Sequence, residues 1–512
     1  MYFIEAKAGY QKMSMLEYLA MFIAIISTYS IAVLILHNKG VLKKKNISFF
    51  GPALMWRTKK GKRFIENLAK KPKIWKIYSD VGIVICFISM ILMIYLFVRM
   101  IPSLFEIPAE QAPTPQMMLL LPGINPLLPI NSILYLVIGL IVAVVAHEFS
   151  HGILFRVSNI KIKSLGLLYM IIPLGAFVEP DEKQFNKAQR FKKIRVLAAG
   201  PMANFVIVGI CIVIISSIFV PFIAPKSEGS ILLYDGYGLS RWSLITEIDG
   251  EKLDEIQLDN ISLCSFHNIS YFDGHSFHSK KFFYGLIVSS VVKKSPADGN
   301  LHLGDIICSI NNISITSKEK FFEIMNETKD GDIVNIRFYS NGSFHNVSLT
   351  LVDKYDFIKN EKNKGKGFLG IGLLSLEDIA VDVNYFLKYL NPFKTDFLTF
   401  AVLPLLGLSP FPSHLANLYT PPPIFWILYT IVYWIFFINF AVATFNVLPI
   451  VPLDGGYMVN NIVEGLIFKL REKMKLKIDD KKIDFIVKNI TMLISLLTLF
   501  LILMPFIIPR LS

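Results

Sequence analysis

The sequence predicts a polytopic α-helical membrane protein of about six transmembrane helices, interrupted by one soluble, mainly β (α+β) insert. Three observations carry that expectation. Of 512 residues, 53% are hydrophobic and 18% charged, against about 45–50% and about 25% in soluble domains. Stretches near 15–36, 81–98, 132–155, 196–224, 424–447 and 485–508 stay apolar for the roughly 20 residues that a crossing helix needs. Residues 225–375 change character: charges return, Gly and Asn punctuate, and alternating runs such as Val334–Phe338 and Val347–Leu351 have the period of strands. This composition excludes a disordered chain, a collagen-like chain and a simple soluble enzyme. Four cysteines exclude a disulfide scaffold. Cys86 and Cys211 lie in apolar runs; Cys264 and Cys308 could pair, and their spacing does not decide whether they do.

The first apolar stretch starts too late, and lacks the small-residue site, for a cleaved signal peptide. Loop 38–78 follows with 13 Lys and Arg against one acidic residue, loop 157–194 holds 7 against 3, and loop 461–484 holds 7 against 5. These three alternate loops contain more than the whole formal charge of +13, while loop 103–130 has no Lys or Arg. Lys and Arg in short loops mark the cytoplasmic side. Both termini and 225–423 are then expected outside. Because the charge follows topology and forms no single patch, nucleic-acid binding is not expected. The expected divisions are 1–119 (two helices and a basic loop), 120–224 (first part of the membrane core), 225–375 (the insert), 376–423 (an interfacial or re-entrant segment) and 424–512 (second part of the core). Pro404, Pro410, Pro412 and Pro421–Pro423 prevent a straight span in 397–423.

Within the insert, Ile245–Leu253 and Ile307–Ile315 match in spacing, each as strand, tight turn, strand. The second is preceded by Ser295-Pro-Ala297 and Leu303-Gly-Asp305 and followed by a helical stretch at about Lys318–Glu327. This order resembles a PDZ domain, in one copy or two. The resemblance implies a peptide-binding loop at Tyr284, Gly285, Leu286 and Ile287, with peptide or protein C-termini as partners. Sequons at Asn260, Asn268, Asn312, Asn326, Asn341 and Asn346 suit an extracytoplasmic face.

The third span contains Ala146-His147-Glu148-Phe149-Ser150-His151-Gly152. On a helix His147 and His151 are i and i+4 and share one face. This is H-E-x-x-H, the spacing at which two imidazoles hold one Zn²⁺, with Glu148 beside them as a general base. At 1.5 Å per residue, His147 lies roughly 21 Å in from Ile133. Ionisable groups at such depth are costly unless paired, hydrated or metal-bound. A catalytic zinc takes three protein ligands. Asp454, in Asn446-Val-Leu-Pro-Ile-Val-Pro-Leu-Asp-Gly-Gly456, is the sole acidic residue between Asp396 and Glu464. Pro449 and Pro452 break the helix and Gly455-Gly456 permit a tight turn, so its carboxylate can face the bundle. Glu179 is the next carboxylate to consider.

H-E-F-S-H-G in one span and N-x-x-P-x-x-P-L-D-G-G in a later one resemble the site-2 protease family of intramembrane zinc metalloproteases. Gly200-Pro-Met-Ala-Asn204, Gly175–Glu179, Pro122–Pro126 and the position of the PDZ-like insert agree, over roughly 120–510. The resemblance implies His147, His151 and Asp454 as zinc ligands, Glu148 as general base and then acid, and Asn204 and Asn446 as residues lining the site. It implies cleavage of membrane-anchored proteins within or near their membrane segment, in a multi-pass protein of the cell membrane with the PDZ-like domain extracytoplasmic. The competing expectation is a catalytically inactive PDZ-containing scaffold or receptor.

Overall fold

A computed structural model describes residues 15–44, 46–50, 53–59, 61–105, 107, 112–118, 120–125, 127–169, 173–252, 261–384, 387, 390–403, 416–475 and 479–511. The chain forms two compact units, residues 1–211 with 434–512, and residues 212–433.

The first unit is built on α1 (Met15–Asn38), α2 (Lys62–Leu68), α3 (Pro72–Leu104), α4 (Ile133–Val157), α5 (Arg190–Ile214), α6 (Pro423–Asn446, which starts in the other unit), α7 (Asp454–Lys473) and α8 (Asp480–Leu511). Among the described residues five helical stretches are long and apolar enough to cross a membrane: Pro72–Leu104, Ile130–Val157, Arg190–Phe222, Pro423–Asn446 and Asp480–Leu511. The first expected span coincides with α1, 24 residues of helix. Its crossing of the membrane stays an expectation. α3 begins well before its apolar run because Pro72 opens it at a first-turn position, where a missing N–H costs nothing. The added turns carry Asp80, which accepts from Arg195 Nε at 2.6 Å and Nη2 at 2.7 Å. This two-pronged pair ties α3 to α5.

The basic loop 38–78 is more than a connection. β1 (Ile47–Phe50) and β2 (Ala53–Thr58) join β3 (Ile162–Tyr169) and β4 (Pro173–Pro180) in an antiparallel sheet of order β1-β2-β3-β4. Trp56 stands opposite Leu167 and Leu54 opposite Tyr169. α2 buries Ile65 completely in a core with Leu154, Leu165, Val178 and Ala199. A Cβ on Gly152 of α4 would lie 2.9 Å from Ile65 Cδ1. Helix α2, from the basic loop, therefore packs directly against the H-E-x-x-H helix. β4 lies at one end of the sheet, with β3 its sole partner among the described strands.

The second unit holds two six-stranded antiparallel sheets. The first contains β5 (Ser230–Leu232), β6 (Leu244–Ile248), β7 (Glu251–Lys252), β8 (Ser265–Phe272), β9 (Phe277–Tyr284) and a late return strand. The second contains β10 (Leu286–Val291), β11 (Ile306–Ile310), β12 (Ile313–Ser314), β13 (Ile333–Ser340), β14 (Ser343–Thr350) and its own late strand. After the small pair β15 (Val352–Asp353) and β16 (Gly367–Phe368), β17 (Ile371–Leu374) closes the second sheet and β18 (Ala380–Asp382) closes the first. The orders are β18-β5-β6-β8-β9 and β17-β10-β11-β13-β14, with β7 on β6 and β12 on β11.

Strand for strand the two sheets have one topology. The correspondence reaches single residues. The β6–β8 register skips Thr246 between Ile245 and Glu247, and the β11–β13 register skips Cys308 between Ile307 and Ser309. Both tight turns have two successive residues at positive φ, Asp249 and Gly250 (53° and 85°) and Asn311 and Asn312 (50° and 65°). That is the conformation of a type I′ hairpin, which Asn, Asp and Gly tolerate. Each sheet has its own core, around Ile245, Ile248, Ile269 and Phe282 in the first and Ile307, Ile310, Val334 and Ile336 in the second. A disulfide joins Cys264, just before β8, to Cys308 of β11, with Cα atoms 5.5 Å apart.

Two expectations change here. The first sheet extends to Asp382, so the β insert runs past 375; a three-residue return strand is too short to show a period. Tyr284–Ile287 forms no open loop. Tyr284 ends β9 and Leu286 starts β10, both buried. Ile287 is paired on both sides, with Ile306 and with Leu374, so it offers no edge to a peptide. The edge on that side of the sheet belongs to β17. Residues 404–415 of the proline-broken segment, and the sequon at Asn260, lie outside the described residues. Helix Lys318–Glu327 forms where expected.

Candidate metal centre

α4 carries His147 and His151 one turn apart, both buried. α7 starts at Asp454, with Leu453 as its N-cap. Asp454 thus occupies the first helical position and does not cap the helix. A Cβ on Gly455 would stand 2.1 Å from Val447 O, and one on Gly456 2.4 Å from Ile450 C. The paired glycines serve close approach: the 447–453 connection folds over the helix start, and Val451 N–H donates to Ser495 Oγ of α8 at 3.1 Å. The Asp454 carboxylate is thereby brought to α4.

The three donor atoms form a near-equilateral triangle. His147 Nε2 and His151 Nε2 are 3.1 Å apart. Asp454 Oδ2 is 3.1 Å from the first and 3.3 Å from the second. A tetrahedral ion with bonds of 2.0–2.1 Å separates its ligands by about 3.3–3.4 Å, so the spacing fits zinc. Among the described residues this is the one cluster of three such side chains with converging ligand atoms.

The far sides of the rings fix their tautomers. His151 Nδ1 lies 2.7 Å from Val196 O, a carbonyl that can only accept, so Nδ1 carries the proton. His147 Nδ1 lies 2.8 Å from Asn204 Oδ1. The Asn204 amide nitrogen donates to Ala143 O at 2.9 Å and Asn439 Oδ1 at 2.8 Å, which leaves its oxygen to accept from His147. Both Nε2 atoms therefore present lone pairs to the centre, the state a metal ligand needs. Three lone-pair donors this close repel one another unless a cation sits among them. The donor set and its orientation fit a divalent metal.

Gly200 of α5 makes the approach possible. A Cβ there would lie 2.4 Å from His151 Nε2 and 2.6 Å from His147 Nε2. Half-buried Glu148 accepts from Val178 N–H of β4 at 3.1 Å, which joins the carboxylate next to the first histidine to the edge strand. Glu179 is engaged elsewhere, with Ser164 Oγ and with Arg57 at 3.7 Å.

The structure brings together His147, His151, Asp454 and Asn204. Asn446 bonds back to Val442 O of its own helix at 3.0 Å. The α6 residue that joins the site's hydrogen bonds is Asn439, two turns earlier on the same face and fully buried. An uncharged amide in the middle of an apolar span was the signal for it. Tyr284–Ile287 lies in the other unit.

Comparison with known proteins decides the family. The model of Peptidase family M50 matches residues 135–480, a range that contains all three donors, Glu148, Asn204 and Asn439.

The chain belongs to peptidase family M50.

An uncharacterized protein of Methanocaldococcus jannaschii is 32% identical over 209 residues, 39% of this chain and 53% of that protein. The chain thus spans about half the length of this curated relative. Solved PDZ domains of SdrC-like proteins are similar to short segments of this M50 chain. The one from Listeria monocytogenes is 27% identical, covers 18% of this chain and 90% of its own, and has a TM-score of 0.16. The one from Listeria innocua is 30% identical over 17% and 92%, with a TM-score of 0.15.

Proposed function

We propose that this M50 peptidase is an intramembrane zinc metalloendopeptidase that cleaves membrane-anchored proteins within or near their membrane segment. The observation that carries this reading is the triangle of His147, His151 and Asp454, its imidazole tautomers already set, beside Glu148. His147, His151 and Asp454 would hold the zinc. Bound there, the ion supplies Lewis acidity toward a peptide carbonyl and toward water. Glu148 takes the proton of the attacking water at its carboxylate and delivers it to the leaving amine. The Val178 N–H holds that carboxylate in place. A peptide bond within a helix has its carbonyl hydrogen-bonded, so the substrate must unwind before attack. The end strand β4 accepts the unwound chain by backbone pairing, alongside Glu148.

The two-sheet unit lies on the extracytoplasmic side of the cell membrane. The Cys264–Cys308 disulfide supports this, because disulfides persist in oxidising compartments. The two sheets are PDZ-like copies, and the second takes peptide or protein C-termini as an added strand along β17.

Membrane proteomes of cells with wild type or Glu148→Gln test the proposal. Truncated membrane anchors should accumulate only with the variant, which should keep its zinc. General-base loss costs about 10² to 10⁴ in rate. Cleavage by Glu148→Gln at the wild-type rate would remove Glu148 from the mechanism.

A further inference from the structure

We propose that Asn439 is a positioning residue for the metal centre: it fixes the Asn204 amide and, through it, the proton of His147. This rests on the reading of His147, His151 and Asp454 as a zinc site and assigns a role within it.

An asparagine amide can turn over and exchange its oxygen with its nitrogen. Turned over, Asn204 would offer N–H to His147 Nδ1. That nitrogen would become the acceptor, the ring proton would move to Nε2, and one ligand lone pair would be lost. The surroundings of Asn204 oppose this. Its nitrogen faces two acceptors, Ala143 O at 2.9 Å and Asn439 Oδ1 at 2.8 Å. Asn439 holds its own orientation by donating Nδ2 to Ile435 O at 2.7 Å. Proton donation thus runs one way, from His147 Nδ1 to Asn204, from Asn204 to Asn439, and from Asn439 to a backbone carbonyl of α6. Both asparagines have zero exposure, so bulk water does not stand in for either partner. The chain of bonds links the ligand helix α4 to α6 through α5. A plain interhelical bond would stabilise packing without any effect on the metal.

The test is zinc affinity of the purified full chain in detergent, by chelator competition. Loss of a hydrogen-bond partner behind a metal ligand costs about 10- to 100-fold in affinity. Asn439→Leu, of similar shape, should bind zinc about tenfold more weakly. Asn204→Leu should lose at least as much, and the double variant should be no more than about twofold weaker than Asn204→Leu, because both act through one bond to His147. Asn439→Asp should recover most of the affinity, since a carboxylic acid can accept from Asn204 and donate to Ile435 O. Asn439→Leu within about twofold of wild type, or single losses that multiply in the double variant, would overturn the inference. One measurement needs no substitution. In the metal-free wild type labelled with ¹⁵N-histidine, His147 should carry a proton on Nδ1, whether or not Nε2 is protonated as well; a neutral ring with its proton on Nε2 alone would equally overturn it. A wild-type chain that binds no zinc would remove the metal reading itself, and this inference with it.

Discussion

Gly200→Ala adds one methyl group and should empty the metal centre. The new carbon would stand 2.4 Å from His151 Nε2 and 2.6 Å from His147 Nε2, about 1 Å inside ordinary van der Waals contact. The rings cannot retreat cheaply. His151 is held at Nδ1 by Val196 O at 2.7 Å and His147 by Asn204 at 2.8 Å. A shift of about 1 Å breaks those bonds or opens a donor triangle whose edges are 3.1–3.3 Å. Loss of one partner behind a ligand costs 10- to 100-fold, and here two ligands move together. We expect at least 100-fold weaker zinc binding, about 2.8 kcal/mol at 1.4 kcal/mol per decade. The helix itself should not suffer, since alanine is favoured over glycine in a helix interior by roughly 1 kcal/mol. Chelator competition on the full chain measures the loss. Gly209→Ala is the control, because a Cβ there meets nothing within 4 Å. Wild-type zinc affinity in Gly200→Ala would refute the placement of α5 against both histidines.

Two further outcomes are expected. Cys264→Ser should loosen the second unit: opening a cross-link between residues 44 apart removes about 4 kcal/mol of chain-entropy stabilisation, read as a lower unfolding midpoint under non-reducing conditions, while an unchanged midpoint would mean that the sulfurs are not bonded. Single cysteines placed in 225–375 and 103–130 should label with an impermeant reagent in sealed cells, and those in 157–194 should not; labelling of 157–194 would invert the topology.

The grouping of His147, His151 and Asp454 was legible because the chemistry of such a group is carried by residue type and spacing. H-E-x-x-H on a helix admits one geometry, and a lone aspartate amid apolar sequence needs a partner. The β-hairpin repeat was legible for a similar reason, since Asp249-Gly250 and Asn311-Asn312 are residues that tolerate the left-handed turn. Asn439 was harder. It and Asn446 lie two turns apart on one face of α6, and which of them meets Asn204 depends on how neighbouring helices stack, which no local pattern encodes. The pairing of β2 with β3 joins segments about 110 residues apart, and alternation within either strand does not name its partner. Tyr284–Ile287 misled because a glycine between apolar residues marks a loop only if the next strand has a free edge. That edge is occupied by β17, from more than 80 residues later. In sequence Gly455-Gly456 read as turn residues, whereas backbone packing against Val447 and Ile450 is what requires them.

The central claim is that His147, His151 and Asp454 together hold one zinc ion. X-ray absorption at the zinc edge, on the full chain and on Asp454→Asn after equal zinc loading and chelator washing, tests it most directly. The wild type should retain about one zinc per chain, with two imidazole nitrogens at about 2.0–2.1 Å and a carboxylate oxygen at about 2.0–2.2 Å in its first shell. Asp454→Asn should lose the ion in the wash while its helical content persists. A wild-type spectrum with no carboxylate oxygen, or an Asp454→Asn chain that keeps its zinc with an unchanged first shell, would contradict the account.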